Sequence, residues 1–137
     1  MGRRRKLREH ILQLLYQVEV SKNSPEETFS YYIKDEQPDK DSKEFVRQIL
    51  FGVYEKQKEL DSLISQFAQN WKLHRIALID KNILRMATYE MLYLKDIPHV
   101  VSINEAVDIA KKYSTADSGK FVNGILDKIK NEVVETR

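Results

Sequence analysis

The sequence predicts an all-α protein, and three observations carry that expectation. Apolar residues recur at helical spacing through the chain, no alternating strand pattern of useful length occurs, and the 137 residues include only four glycines and three prolines.

The first helix is read from Leu7, with Ile11, Leu14, Leu15 and Val18 following at i+4, i+7, i+8 and i+11. At about 100° per residue, Tyr16 then falls on the opposite, polar side with Arg5 and Glu9. Arg3 and Arg4 would point toward the core side if the helix continued back to them, so the expectation is a loose arm ahead of it. In "NSPEET", Ser24 as N-cap, Pro25 at the first helical position and Glu27 three residues after the cap form a capping box. The second helix starts there and carries Phe29, Tyr32 and Ile33 inward, and the polar stretch from Lys34 to Asp41, with Pro38, reads as a loop. Val46, Ile49, Leu50, Val53, Leu60, Leu63, Ile64 and Phe67 then belong to one long helix, or to two joined near Glu55 to Glu59.

Asn70 to Arg75 is the expected boundary between an N-terminal bundle of about residues 1–70 and a C-terminal bundle of about 71–137. Beyond it Ile79, Ile83, Met86, Ala87, Met91 and Leu94 line another helix, stopped by Asp96, Ile97 and Pro98. Ser102 and Glu105 have the spacing of a second capping box, with Val101 and Ala106 as its hydrophobic staple. Ile103, Val107 and Ala110 are the buried face of that helix, "STADSGK" reads as a turn, and a last helix carries Val122, Ile125, Ile129 and Val133.

The net charge is only +2, but residues 1–10 carry five basic groups and one acid, which leaves them at +4 and the remainder, with 18 basic and 20 acidic groups, at −2. A polyanion suits so local a patch. The segment after Arg8 is interrupted by Glu9, His10, Gln13 and Gln17, so it is no secretory signal, and no stretch approaches the roughly 18 consecutive apolar residues of a membrane span. No membrane association is expected, and a chain without cysteine suits the cytoplasm.

Catalytic constellations are poor. Without cysteine there is no disulfide, thiolate metal site or cysteine nucleophile, and His10, His74 and His99 lack metal-ligand spacing and read as surface residues. "DSGK", Asp117 to Lys120, lacks the upstream glycine and strand of a phosphate-binding loop. Glu90 lies within an apolar stripe and needs a partner, for which Arg75 and Arg85 are the nearest cations, and Trp71 reads as a packing residue. No metal, no cofactor and no enzymatic activity are expected. The arm offers more, since arginine forks grip phosphates and exposed aromatics stack on unpaired bases. Tyr16 and Phe121 fit that role, with Lys120 pointing away from the last helix's stripe; they fit equally well as filling for a seam between two bundles.

Residues 83–129 contain the long ordered strings "INEAVDIAKKYS" and "KFVNGILD", and residues 3–17 read "RRRKLREHILQLLYQ". In these the chain strongly resembles the NusB family of bacterial transcription antitermination factors, over essentially its whole length and least between Ser21 and Asp41. The resemblance implies a single all-helical RNA-binding domain of two small helical bundles packed together. It also implies that the protein pairs with a small-subunit ribosomal protein (NusE), binds single-stranded boxA RNA, and joins an antitermination complex on RNA polymerase at ribosomal RNA operons. By position, Arg3, Arg4, Arg5, Arg8 and Tyr16 match the RNA-facing arm and helix, and Asp117, Lys120 and Phe121 a second RNA-facing segment. Asp80 matches an acidic position facing the ribosomal partner. Leu7 and Ile11 depart from the family's habit, standing where many relatives have alanine. The same fold occurs fused to ribosomal RNA methyltransferases, but a chain ending at Arg137 without a cysteine nucleophile is expected to be a binding protein. The alternative is a helical protein-interaction adaptor whose partner supplies most of the RNA affinity. An arm with exposed aromatics also suits a homodimer that hides the RNA surface.

Overall fold

Leu7, Ile11, Leu14 and Leu15 are buried along one side of the first helix, α1 (Gly2–Ser21), and full burial of such a side chain stabilises by about 1.5–3 kcal/mol. Leu7 and Ile11 are therefore core residues, 8% and 0% exposed. The computed structural model describes residues 2–68 and 75–136, and among them it contains seven α-helices and no strand. The expected loose arm is instead the first turn of α1, which begins at Gly2.

Helix α1 ends at Ser21, where Lys22 takes a left-handed φ of 64° and turns the chain into the predicted capping box. Ser24 Oγ accepts from the Glu27 N–H at 3.1 Å, and Glu27 Oε1 accepts from the Ser24 N–H at 3.3 Å. We expect Ser24→Ala to cost about 1 kcal/mol in urea unfolding, and an unchanged midpoint would show that Pro25 alone starts the helix. Helix α2 (Pro25–Glu36) buries Phe29 and Tyr32 and ends at Gln37, whose N–H makes the last helical bond to the Ile33 carbonyl at 2.9 Å and whose φ of 46° turns the chain out of the helix. The expected loop from Lys34 thus shrinks to residues 37–39. Helix α3 (Lys40–Glu55) turns Phe45, Val46, Ile49, Leu50 and Val53 inward, and α1, α2 and α3 pack on one another.

The long apolar pattern is two helices: Lys56 breaks it and α4 (Gln57–Phe67) follows. The chain forms two compact units that divide between Glu55 and Lys56, well ahead of the boundary expected near residue 70, because α4 packs on later helices. Residues 70–74 of that expected boundary, the packing role of Trp71 and the surface role of His74 lie outside the described residues.

In the second unit α5 (Leu78–Tyr93) is covered by α4, α6 and α7, and residues 82–92 are buried without a break. A helix enclosed on all sides must satisfy its polar groups internally. Arg85 makes two hydrogen bonds to the Asp61 carboxylate, at 2.7 and 2.9 Å, and one to Asn82 Oδ1 at 3.1 Å. Glu90 accepts from the Ser102 hydroxyl at 2.8 Å.

That bond also overturns the second capping box. Helix α6 (His99–Tyr113) begins directly after Pro98, so Ser102 lies within it and spends its hydroxyl on Glu90. "STADSGK" is likewise mostly helix: Thr115 accepts from the Ser118 N–H at 3.0 Å and caps α7 (Ala116–Glu132), leaving only Ser114 and Thr115 between α6 and α7. Val122, Ile125, Leu126 and Ile129 bury α7 against α4, α5 and α6, and a 3-10 turn, Val134–Thr136, follows. No helix among the described residues is long and apolar enough to cross a membrane.

Candidate nucleic-acid interface

In the first unit the basic segment is held by α3. Asp39 stands just ahead of α3, and its Oδ1 accepts from the Ser42 N–H at 2.8 Å in the manner of a helix cap. Its Oδ2 accepts from Arg3, whose Nε and Nη2 also donate to Ser42 Oγ at 3.2 and 2.9 Å. The Ser42 N–H is the main cause, with the Ser42 hydroxyl and the Arg3 charge, that holds the Asp39 carboxyl below the ordinary carboxylate range.

One turn further along α3, Phe45 carries two guanidinium groups, with Arg4 at 4.5 Å and Arg8 at 5.5 Å from the ring centroid. Arg8 is only 3% exposed, whereas Lys6 and Arg4 are exposed and Arg5 is half-buried. Of the four arginines read as RNA-facing, Arg3, Arg4 and Arg8 are thus packed on α3. Tyr16 stands on the polar side of α1, 42% exposed.

In the same unit His10 Nδ1 lies 3.3 Å from the Tyr32 hydroxyl, with the two rings edge to face at 5.4 Å. Burial, with the nearby charges of Glu36 and Asp39, pushes the Tyr32 phenol above its ordinary range. His10 is therefore a half-buried packing residue rather than a surface one.

The second unit gathers Asp117, Lys120 and Phe121 into the first turns of α7. Asp117 and Lys120 are exposed, and Phe121 is half-buried. Phe121 lines an open cavity of about 310 Å³ with Arg75, Asp80, Thr115, Asp117 and Ser118. Asp80, expected to face a protein partner, is only 6% exposed. One of its oxygens accepts from Ser118 Oγ at 2.9 Å and so ties α5 to the start of α7. The other is buried without a hydrogen-bond partner among the described residues. Gly119 lies under the stem of Lys111, where an added Cβ would stand 2.8 Å from Lys111 Cγ; glycine is what lets this side chain lie across α7.

Sequence reasoning missed Asp39, Ser42 and Phe45 as seats for the arginines, and Arg75, Thr115 and Ser118 as cavity walls. The helical phase that turned Arg3 and Arg4 toward the core was the available signal for the first set. Chemically, the two units offer guanidinium and ammonium groups to phosphates, and an exposed tyrosine and a half-buried phenylalanine to bases.

The profile of the NusB family matches residues 5–131. The transcription antitermination protein NusB of Ruminiclostridium cellulolyticum is 46% identical over 129 residues, covering 94% of this chain and 88% of the relative. That of Bacillus pumilus is 44% identical over 131 residues, covering 96% and 97%. Among solved structures, T. maritima NusB aligns with a TM-score of 0.85 at 44% identity, covering 94% of this chain and 91% of that one. A structure of the antitermination factors NusB and NusE in complex with dsRNA aligns with a TM-score of 0.85 at 26% identity, covering 96% and 98%. With sequence and all-helical structure in agreement over nearly its full length, the chain belongs to the NusB family.

Proposed function

We propose that this protein is a transcription antitermination factor that binds boxA RNA together with the small-subunit ribosomal protein NusE and promotes processive transcription of ribosomal RNA operons. The observation that carries this reading is the +4 charge of the first ten residues, placed on a helix that displays an open tyrosine. Arg3, Arg4, Arg5 and Arg8 neutralise phosphates, Tyr16 and Phe121 hold bases, and Asp117 and Lys120 flank the strand at α7. Asp80 is the acidic group offered to NusE through the cavity. The protein works in the cytoplasm by binding rather than catalysis, as part of a complex on RNA polymerase, and self-association through the same surface hides it when RNA is absent.

Fluorescence anisotropy of labelled boxA RNA tests the reading, with and without NusE and beside a scrambled strand and a boxA duplex. Preference for single-stranded boxA that tightens with NusE is expected. Equal weak binding to every RNA would leave only a basic tail on a helical protein, and preference for the duplex would remove the stacking role of Tyr16 and Phe121.

The adaptor reading has one observation in its favour: Arg3, Arg4 and Arg8 already have seats on α3. Removing residues 1–6 separates the two. RNA affinity should collapse while NusE binding survives; retention of both would favour the adaptor.

A further inference from the structure

The ion pair between Arg3 and Asp39 has a consequence for RNA binding that rests on the function just proposed. We propose that Asp39 is an internal competitor of the RNA backbone: its carboxylate holds the Arg3 guanidinium on α3, and a phosphate must displace it before Arg3 can engage RNA.

Three features of the contact point this way. A carboxylate and a phosphodiester present similar paired oxygens to a guanidinium fork, so occupation of Arg3 by one opposes occupation by the other. The Asp39 carboxylate cannot readily swing aside, because its second oxygen is fixed by the Ser42 N–H at 2.8 Å. Both side chains of the pair are nonetheless 60% exposed, so an incoming anion can reach Arg3 without unfolding anything. Ser42 Oγ, which accepts two of Arg3's hydrogen bonds, is neutral and does not compete for the charge. Arg4 lies over the face of Phe45, and a ring leaves the edges of a guanidinium open to phosphate. Asp39 therefore acts on Arg3 in particular. In the free protein it keeps the first turn of α1 ordered, and on binding it subtracts from the affinity.

The test is Asp39→Asn, which removes the charge but keeps a side chain that caps helices about as well as aspartate. Wild type, Asp39→Asn, Arg3→Ala and the double variant are titrated at one fixed salt concentration with boxA RNA and, as a probe of phosphates alone, with poly(U). Exposed ion pairs of this kind correspond to a change of about two- to fivefold. Asp39→Asn is expected to tighten binding of both RNAs by that factor, and the gain should vanish when Arg3 is alanine. No gain, or a gain that persists without Arg3, overturns the proposal, the second because it reveals only the removal of a nearby negative charge. A gain seen equally with poly(U) and boxA, without boxA preference in the wild type, would sink the functional reading and leave this one standing. Failure of both RNAs to bind the wild type would end both.

Discussion

Replacing Asp61 with alanine is expected to lower the stability of the protein by about 3 kcal/mol, the largest effect we anticipate from a single polar substitution. Arg85 sits in the middle of α5 at 3% exposure, and its guanidinium charge is tolerable there because Asp61 accepts two hydrogen bonds from it. Without that carboxylate the charge stays buried with Asn82 Oδ1 as a neutral acceptor, and breaking one side of a buried pair costs about 3–5 kcal/mol. The lower end of that range applies because Arg85 keeps its bond to Asn82 Oδ1 and the 18% exposed Asp61 position gives water a route to the guanidinium. Urea unfolding followed by circular dichroism measures the effect. Asp61→Asn, which keeps an acceptor, should lose less, and the double change Asp61→Leu with Arg85→Met should recover much of the loss. A fall of under about 1 kcal/mol for Asp61→Ala would mean that the pair is no more than a surface contact.

The second large effect is on RNA affinity. If Arg3, Arg4, Arg5 and Arg8 neutralise about four phosphates of a single strand, the dissociation constant follows salt with a log–log slope near −3 in affinity, about 50-fold weaker from roughly 50 to 200 mM. Anisotropy titrations across that range supply the slope. A slope flatter than about −1 would remove the basic segment from the interface, since one phosphate at most would then be neutralised. Arg8 is the member of the set that tests geometry: at 3% exposure it must turn an edge outward or yield its place to Arg5, and a slope nearer −2 in the wild type would indicate that it stays on Phe45.

Much of the architecture was legible because it is written in local patterns. The stripe from Leu7, the box at Ser24 and Glu27, and the stop before Pro98 all reappear as helix faces and ends, since each depends on neighbours within one or two turns. The failures share a cause. Ser102 and Glu105 have the spacing of a cap, but a buried carboxylate twelve residues upstream competes for the serine hydroxyl. Glu90 was recognised as needing a partner, but the serine that donates to it stands on the next helix, beyond the reach of a local pattern. The seats of Arg3, Arg4 and Arg8 lie about forty residues away on α3, so no local rule could name Asp39 or Phe45. For the site, the residue types at α7 were readable, whereas the cavity beside Phe121 depends on the start of α5 meeting the start of α7.

The division between Glu55 and Lys56 also orders events in time. Every contact described for the basic segment, with Asp39, Ser42 and Phe45, is made within the first unit, so nothing synthesised later is needed to seat it. Helix α4, at 11 residues, is too short to persist in isolation and must await α5 and α7. During vectorial synthesis the basic end of the chain is thus the first to mature, while the half that carries Phe121 and its cavity is assembled last and all together.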